Sequence, residues 1–176
     1  MINQKLSNDI SEQEIAEYYG KNKELFKLET PLIKGLFIKV PLTAPQLNNV
    51  RRWYKSEKQD AVESLEKYSL QNAVKYEYFY DKWVSVTDVL DMIPLKVEAP
   101  EEYVDKHRQV ELRDTAYYYF LNVSDYRGVG EEKPYEFARP EVKDLLVNQK
   151  RVSFMEQVKS DLYQQAASKK KIIYNY

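Results

Sequence analysis

Cysteine is absent from this chain of 176 residues, which removes disulfides, thiolate catalysis and cysteine-ligated zinc and leaves the redox compartment open. Glycine is scarce, at 4 residues. No Walker-type or dinucleotide-type glycine pattern occurs, so phosphate-cradling loops and nucleotide-dependent chemistry drop out. Charge of one sign is not in excess: 27 Lys and Arg meet 28 Asp and Glu, a formal net charge of -1. No global field therefore draws the chain to nucleic acid or to anionic lipid. Long hydrophobic runs are missing too, and the first ten residues, MINQKLSNDI, are polar. We expect neither a transmembrane span nor a signal peptide here, so an exported natural form would make this a mature or excised segment.

Tyrosine is what the chain has in quantity, 16 residues. Its ring packs like any aromatic and its hydroxyl supplies one polar handle, which suits half-buried cores and surfaces that grip polypeptides. The run AYYYFLNV at 116 to 123 predicts a buried strand, being short and rich in aromatic and β-branched residues with Gly128 and Gly130 beyond it. Alternation places Tyr117, Tyr119 and Leu121 on one face and Tyr118, Phe120 and Asn122 on the other. Both sets are mainly apolar, so both faces should be covered.

A capping box, Ser11 with Glu14, predicts that a helix begins there. Ile15, Tyr18, Tyr19, Leu25 and Phe26 form its apolar side, Gly20 permits a bend or an early stop, and Pro31 ends any continuation. LIKGLFIKV at 32 to 40 reads as a strand closed by Pro41. From Pro45 to about residue 80 the pattern reads as three helices, QLNNVRRWYKSEK, DAVESLEKYS and LQNAVKYEYFY, with Leu47, Val50, Trp53 and Tyr54 on one face and Val62, Leu65 and Tyr68 on another. A short strand around Trp83 to Val86 and a helical turn capped by Thr87 or Asp88 follow, ending before Pro94. QVELRD at 109 to 114 should pair antiparallel with the aromatic strand. The chain then closes with a helix from Pro140, taken as its first residue, to about Ser168, ~40 Å long. Its stripe of Val142, Leu145, Leu146, Val152, Met155, Val158, Leu162, Tyr163 and Ala166 is longer than the small α+β unit can cover. We expect part of it to pack on the helix beginning at Ser11. The tail IIYNY is either an added edge strand or a frayed end.

The remaining chemistry-bearing residues are read plainly. His107 is the only histidine and stands alone in a loop, without metal or catalytic partners. Glu101, Glu102, Asp105, Glu131 and Glu132 are expected in solvated loops. We expect no metal and no cofactor. SLEK at 64 to 67 lacks the other parts of an acyl-enzyme site.

The phrases SEQEIAEYYGKNKELF, DAVESLEKYS, KWVSVTDVLDMIP and LLVNQKRVSFMEQVKSDLYQQA together resemble the SurA and PrsA group of exported foldases, in particular the tyrosine-rich SurA-like proteins of Bacteroidetes. The resemblance covers nearly the whole chain. It implies an α+β fold in which a parvulin-like domain at 30 to 130 is flanked by helices at 1 to 29 and 131 to 176 that form a chaperone module. Parvulins carry a histidine in the first strand and another in the last, facing each other across the proline pocket. The corresponding positions are read as Leu36 and Tyr119, so neither histidine is present. The glycine-rich turn before the middle strand is replaced by FYDKW, and the pocket cysteine or aspartate has no counterpart.

The resemblance therefore implies a chaperone or foldase segment that holds unfolded exported polypeptides in a cleft between the helical module and a degenerate isomerase domain. It places the protein in the periplasm or at the outer membrane of a Gram-negative bacterium. Peptide contacts are assigned to Tyr18, Tyr19 and Phe26 of the first helix and to Phe154, Met155 and Tyr163 of the last. An alternative is an active prolyl cis-trans isomerase, acting on proline-containing polypeptides in a pocket of Leu36, Phe37, Met92 and Tyr119, with the Tyr119 hydroxyl donating to the substrate. Another is an interaction module that forms a homodimer by exchange of the long helix.

Overall fold

The computed structural model describes residues 10–174 of the chain, with side chains described for residues 10–167. Its contacts divide it into two units, one of residues 27–131 and one made by the two ends of the chain, up to residue 26 and from residue 132 onward. The fold class is α+β, as expected. Among the described residues there are six α-helices and four strands.

The central unit is built on β1, Leu32–Pro41, whose uninterrupted apolar run is that of a strand covered on both faces. It lies between β2, Lys75–Ser85, and β4, Tyr117–Arg127. β3, Gln109–Arg113, completes an antiparallel sheet of order β2-β1-β4-β3. Alternation along β1 sends Ile33 and Phe37 to one face with Tyr119, Leu121 and Val123. That face is covered by α4, Val86–Leu90, the turn after it, and α5, Pro100–Lys106, through Val86, Val89, Ile93 and Val104. Leu36, Ile38, Val40 and Phe120 occupy the other face, under α2, Leu47–Tyr54, and α3, Gln59–Asn72, through Val50, Tyr54, Leu65 and Tyr68. Each fully buried side chain of this size stabilises by roughly 1.5–3 kcal/mol, so two apolar layers on one sheet account for a stable domain.

Residues 75 to 80 are strand, not a third helix. Tyr76, Tyr78 and Tyr80 alternate with Lys75, Glu77 and Phe79, a period of two that a continuation of the preceding helical pattern obscures. The expected short strand at 83 to 86 is the far end of the same β2, and Val86 already belongs to α4. Glu101, Glu102 and Asp105 lie on α5 instead of in a loop; Pro100 at its N-terminus and the acidic first turn favour that helix start.

In the unit of the two chain ends, Ser11 caps α1, Glu12–Lys21, its hydroxyl accepting from the Glu14 N–H at 3.1 Å. α1 packs on the first part of α6, Tyr135–Tyr174, around Ile15, Phe26, Ala138 and Val142. Glu12 and Arg139 form a double hydrogen-bonded ion pair, and Lys150 Nζ lies 3.4 Å from Glu14. The helix starts at Tyr135, five residues before the expected Pro140. Pro134 sets that start: its carbonyl accepts from Phe137 and Ala138, and the early position of Pro140 limits the loss to one bond near the end. The helix continues through Tyr174, so residues 172 to 174 of the tail are helical and not an edge strand, one of the two alternatives for it. Asn175 and Tyr176 lie outside the described residues, as does most of the polar opening segment.

Candidate functional site

The face of the sheet under α4 and α5 holds three of the four expected pocket residues. Phe37 is fully buried, Tyr119 nearly so, and Met92 packs at their edge. Leu36 does not join them. It points to the opposite face beneath α2 and α3, because side chains on neighbouring positions of a strand leave by opposite faces. The residues that do face each other across β1 and β4 on the Tyr119 side are Phe37 with Leu121 and Lys39 with Tyr119. No histidine lies on any of the four strands.

The Tyr119 hydroxyl donates to Asp114 at 2.6 Å. Asp114 sits in the turn between β3 and β4, where its other oxygen accepts the backbone N–H groups of Ala116 and Tyr117, both at 2.8 Å. This is the usual work of aspartate in a tight turn. The hydrogen bond to Asp114, followed by burial, pushes the Tyr119 phenol up to about 12. Conversely the Tyr119 hydroxyl, then the two backbone N–H groups, hold the Asp114 carboxyl below its ordinary 3.8. Lys39 adds to this, its ammonium lying 4.2 Å from the ring centre of Tyr117 and 5.5 Å from that of Tyr119.

The sign of the pH dependence follows from these directions. A carboxylate held below its unfolded value contributes stability that is present above about 3.8 and is lost as pH falls through the folded value. The raised phenol contributes stability complete below pH 10 and lost as pH rises towards 12. Asp114→Asn is therefore expected to lower the melting temperature at pH 7 and to flatten its decline below pH 3.8. Thermal melts across that range check this; parallel profiles for the two proteins would contradict it.

In the other unit the six expected peptide contacts separate into two groups. Tyr18, Tyr19 and Phe26 belong to the core between α1 and α6: Phe26 is 1 % exposed, and its ring lies 6.3 Å from that of Tyr18 and 6.1 Å from that of Tyr19. The Tyr19 hydroxyl donates to the Lys133 carbonyl at 2.5 Å. Phe26 is thus packing and not a binding surface, since an apolar ring at the meeting of two helices is buried by them first. Phe154, Met155 and Tyr163 lie further along α6, where every residue from 151 to 167 is exposed. Val152, Met155, Val158 and Leu162 share one side of the helix and border an apolar depression, while Phe154 and Tyr163, nine residues apart, are exposed on its two opposite flanks. Helical spacing of 3 and 4 is the signal that marks Val152, Val158 and Leu162 in the sequence. Lys39 and Lys75 carry no such signal, because it is strand register that sets them opposite each other.

His107 is exposed at the C-terminus of α5, stacked on Tyr103 with ring centres 4.0 Å apart. Among the described residues no group of three or more His, Asp or Glu is placed to hold a metal, and no helix is long and apolar enough to cross a membrane.

No family model matches the chain, and no curated protein matches it. Among solved structures it is similar to a SurA-like chaperone of Campylobacter jejuni, at 8 % identity and a TM-score of 0.36, over 93 % of this chain and 66 % of that one. The chain thus spans just under two thirds of that neighbour's length, and a likeness this loose fixes neither fold nor function.

Proposed function

We propose that the chain is a SurA-like chaperone or foldase segment that binds unfolded exported polypeptides, with prolyl isomerase activity weak or lost. The observation that carries this reading is the uncovered half of α6. Some 17 consecutive exposed residues, 151 to 167, span about 25 Å and present Val152, Met155, Val158 and Leu162 to solvent along one side, with Phe154 and Tyr163 on its flanks. Soluble proteins rarely leave so continuous an apolar stripe without an occupant, and helices in proteins draw most of their stability from packing on a partner. Methionine and tyrosine give contact area without imposing one partner geometry, which fits weak binding to many unfolded sequences. On this reading the protein works in the periplasm or at the outer membrane of a Gram-negative bacterium.

The sheet unit supports the second half of the proposal. Rotating an X-Pro bond means crossing a barrier of about 18–20 kcal/mol, and enzymes lower it through contacts made preferentially with the twisted amide. Here the strands bring no histidine pair to the pocket face, Leu36 lies on the other side, and the Tyr119 hydroxyl is engaged by Asp114.

The test is a pair of assays on the whole chain. We expect suppression of aggregation of a chemically unfolded client at a few-fold molar excess, together with an uncatalysed rate in a protease-coupled assay on a short Xaa-Pro peptide. A clear catalysed rate, lost in Tyr119→Ala, would replace this reading with an active isomerase. No protection, with a dimer in sedimentation at the same concentration, would mean that a second copy covers the stripe.

A further inference from the structure

On the sheet face away from α2 and α3, Lys39 of β1 stands directly opposite Lys75 of β2. Both border a cavity of about 450 Å³ at that end of the sheet. Like charges directly opposite on one face destabilise a strand pair, so the pairing is unfavourable unless something negative lies between them. The chain's own acids meet that demand only in part. Glu77 makes a long, exposed ion pair with Lys75, 4.0 Å from Nζ, Asp91 is an exposed residue on the rim, and the Asp114 carboxylate, which feels the charge of Lys39, has its oxygens taken by Tyr119 and two backbone N–H groups. Lys39 makes no ion pair among the described residues. Its ammonium is instead held over the rings of Tyr117 and Tyr119, at 4.2 and 5.5 Å.

The rest of the cavity is lined by Val74, Met92, Ile93, Pro94 and Tyr119. A fixed cation beside an apolar floor is complementary to a carboxylate joined to an aliphatic side chain, and partial removal from water strengthens the charge-assisted contact. Nucleic acid is disfavoured, since it needs a track of cations along a backbone. We infer that this cavity is a carboxylate-binding site for polypeptides, in which Lys39 and Lys75 take a C-terminal or side-chain carboxylate and Met92 and Tyr119 take the adjoining apolar residue. This goes beyond the chaperone reading and does not depend on the stripe of α6, because it lies wholly in the sheet unit.

The experiment is a titration of the 15N-labelled full chain, followed by amide shifts, with four probes. These are acetyl-Gly-Ala-Leu with a free C-terminus, the same peptide as its C-terminal amide, amidated acetyl-Ala-Glu-Leu, and inorganic phosphate. Amides of Lys39, Lys75, Met92 and Tyr119 are expected to move with at least one carboxylate-bearing peptide, and at least tenfold less affinity is expected for the neutral amide. The tighter of the two acidic peptides identifies the carboxylate as terminal or side-chain. Binding should weaken with added salt and fall at least tenfold in Lys39→Met, which keeps the stem over Tyr117, with Lys75→Gln as the second variant. Three results would overturn the inference: equal shifts with acid and amide, phosphate matching the peptides, or unchanged affinity in both variants with the fold intact.

Discussion

Gly35→Ala is expected to prevent the sheet from forming in its native register, with a loss of more than about 4 kcal/mol. A Cβ at residue 35 would lie 2.1 Å from the Asn122 carbonyl oxygen and 3.1 Å from its carbon, with Phe79 Cε2 at 3.3 Å. Ordinary C···O contacts between strands are about 3.3–3.6 Å, and two of these three atoms are backbone, which no rotamer change moves away. The crowding has a cause in the register. On one side β1 advances from Lys34 to Gly35 while β4 passes from Asp125 to Val123, leaving Ser124 as an extra residue. On the other side Ile33 pairs with Val84 and Gly35 with Phe79, so residues 80 to 83 of β2 bulge opposite Lys34. Both neighbours are irregular at the same level, and only a residue without a side chain lets the β4 backbone come this close. Since typical domains hold only about 5–15 kcal/mol in all, the variant should be largely insoluble or molten. Urea unfolding followed by near-UV circular dichroism measures it; a cooperative transition within about 1 kcal/mol of the parent would show that β4 can retreat.

Met155→Glu combined with Leu162→Glu is expected to abolish protection of an unfolded client while leaving the fold untouched. The two side chains are 58 % and 61 % exposed, so the substitutions remove no core contact and surface changes of this kind usually stay within about 0.5 kcal/mol. Both positions border the apolar depression of α6, seven residues apart on the same side of the helix. Two carboxylates there place charge in the middle of any apolar contact. Binding that is multivalent and weak at each point loses most when its central contacts are removed, so a drop of at least tenfold in protection is expected, with melting temperature preserved. Tyr18→Ala serves as the contrast, because it lies in the α1–α6 core: it should lower stability before it lowers protection. If the double variant protects as well as the parent, the stripe is not the binding surface and the proposal fails.

Much of this architecture was legible from local pattern. The Ser11 cap, the alternation of β4 into two apolar sets, the pairing of β3 with β4 and the helical stripe of α6 each follow from a few adjacent residues whose chemistry admits one arrangement. The misreadings have physical reasons of their own. Tyr76, Tyr78 and Tyr80 carry a period of two, but the helical pattern of α3 runs up to them and their rings are as acceptable in a helix as in a strand. Pro140 looks like a first helical residue, yet Pro134 stands six residues earlier and supplies the carbonyl from which the helix grows. In this chain tyrosine is both core and surface, so its position in a pattern does not disclose which; Phe26 looked available and is enclosed by the rings around it.

The amino-acid sequence alone determined the α+β class, the two-faced central sheet, the absence of the paired histidines and the presence of an apolar helix too long for its neighbours, because each depends on composition or on spacing within one element. Only the tertiary structure decided which alternating set of one strand shares a face with which set of the next. That choice set Leu36 apart from Tyr119, brought Lys39 opposite Lys75 and tied the Tyr119 hydroxyl to Asp114. It depends on register across strands far apart in the chain, and here register is shifted by bulges at residues 80 to 83 and at Ser124 that no local pattern encodes.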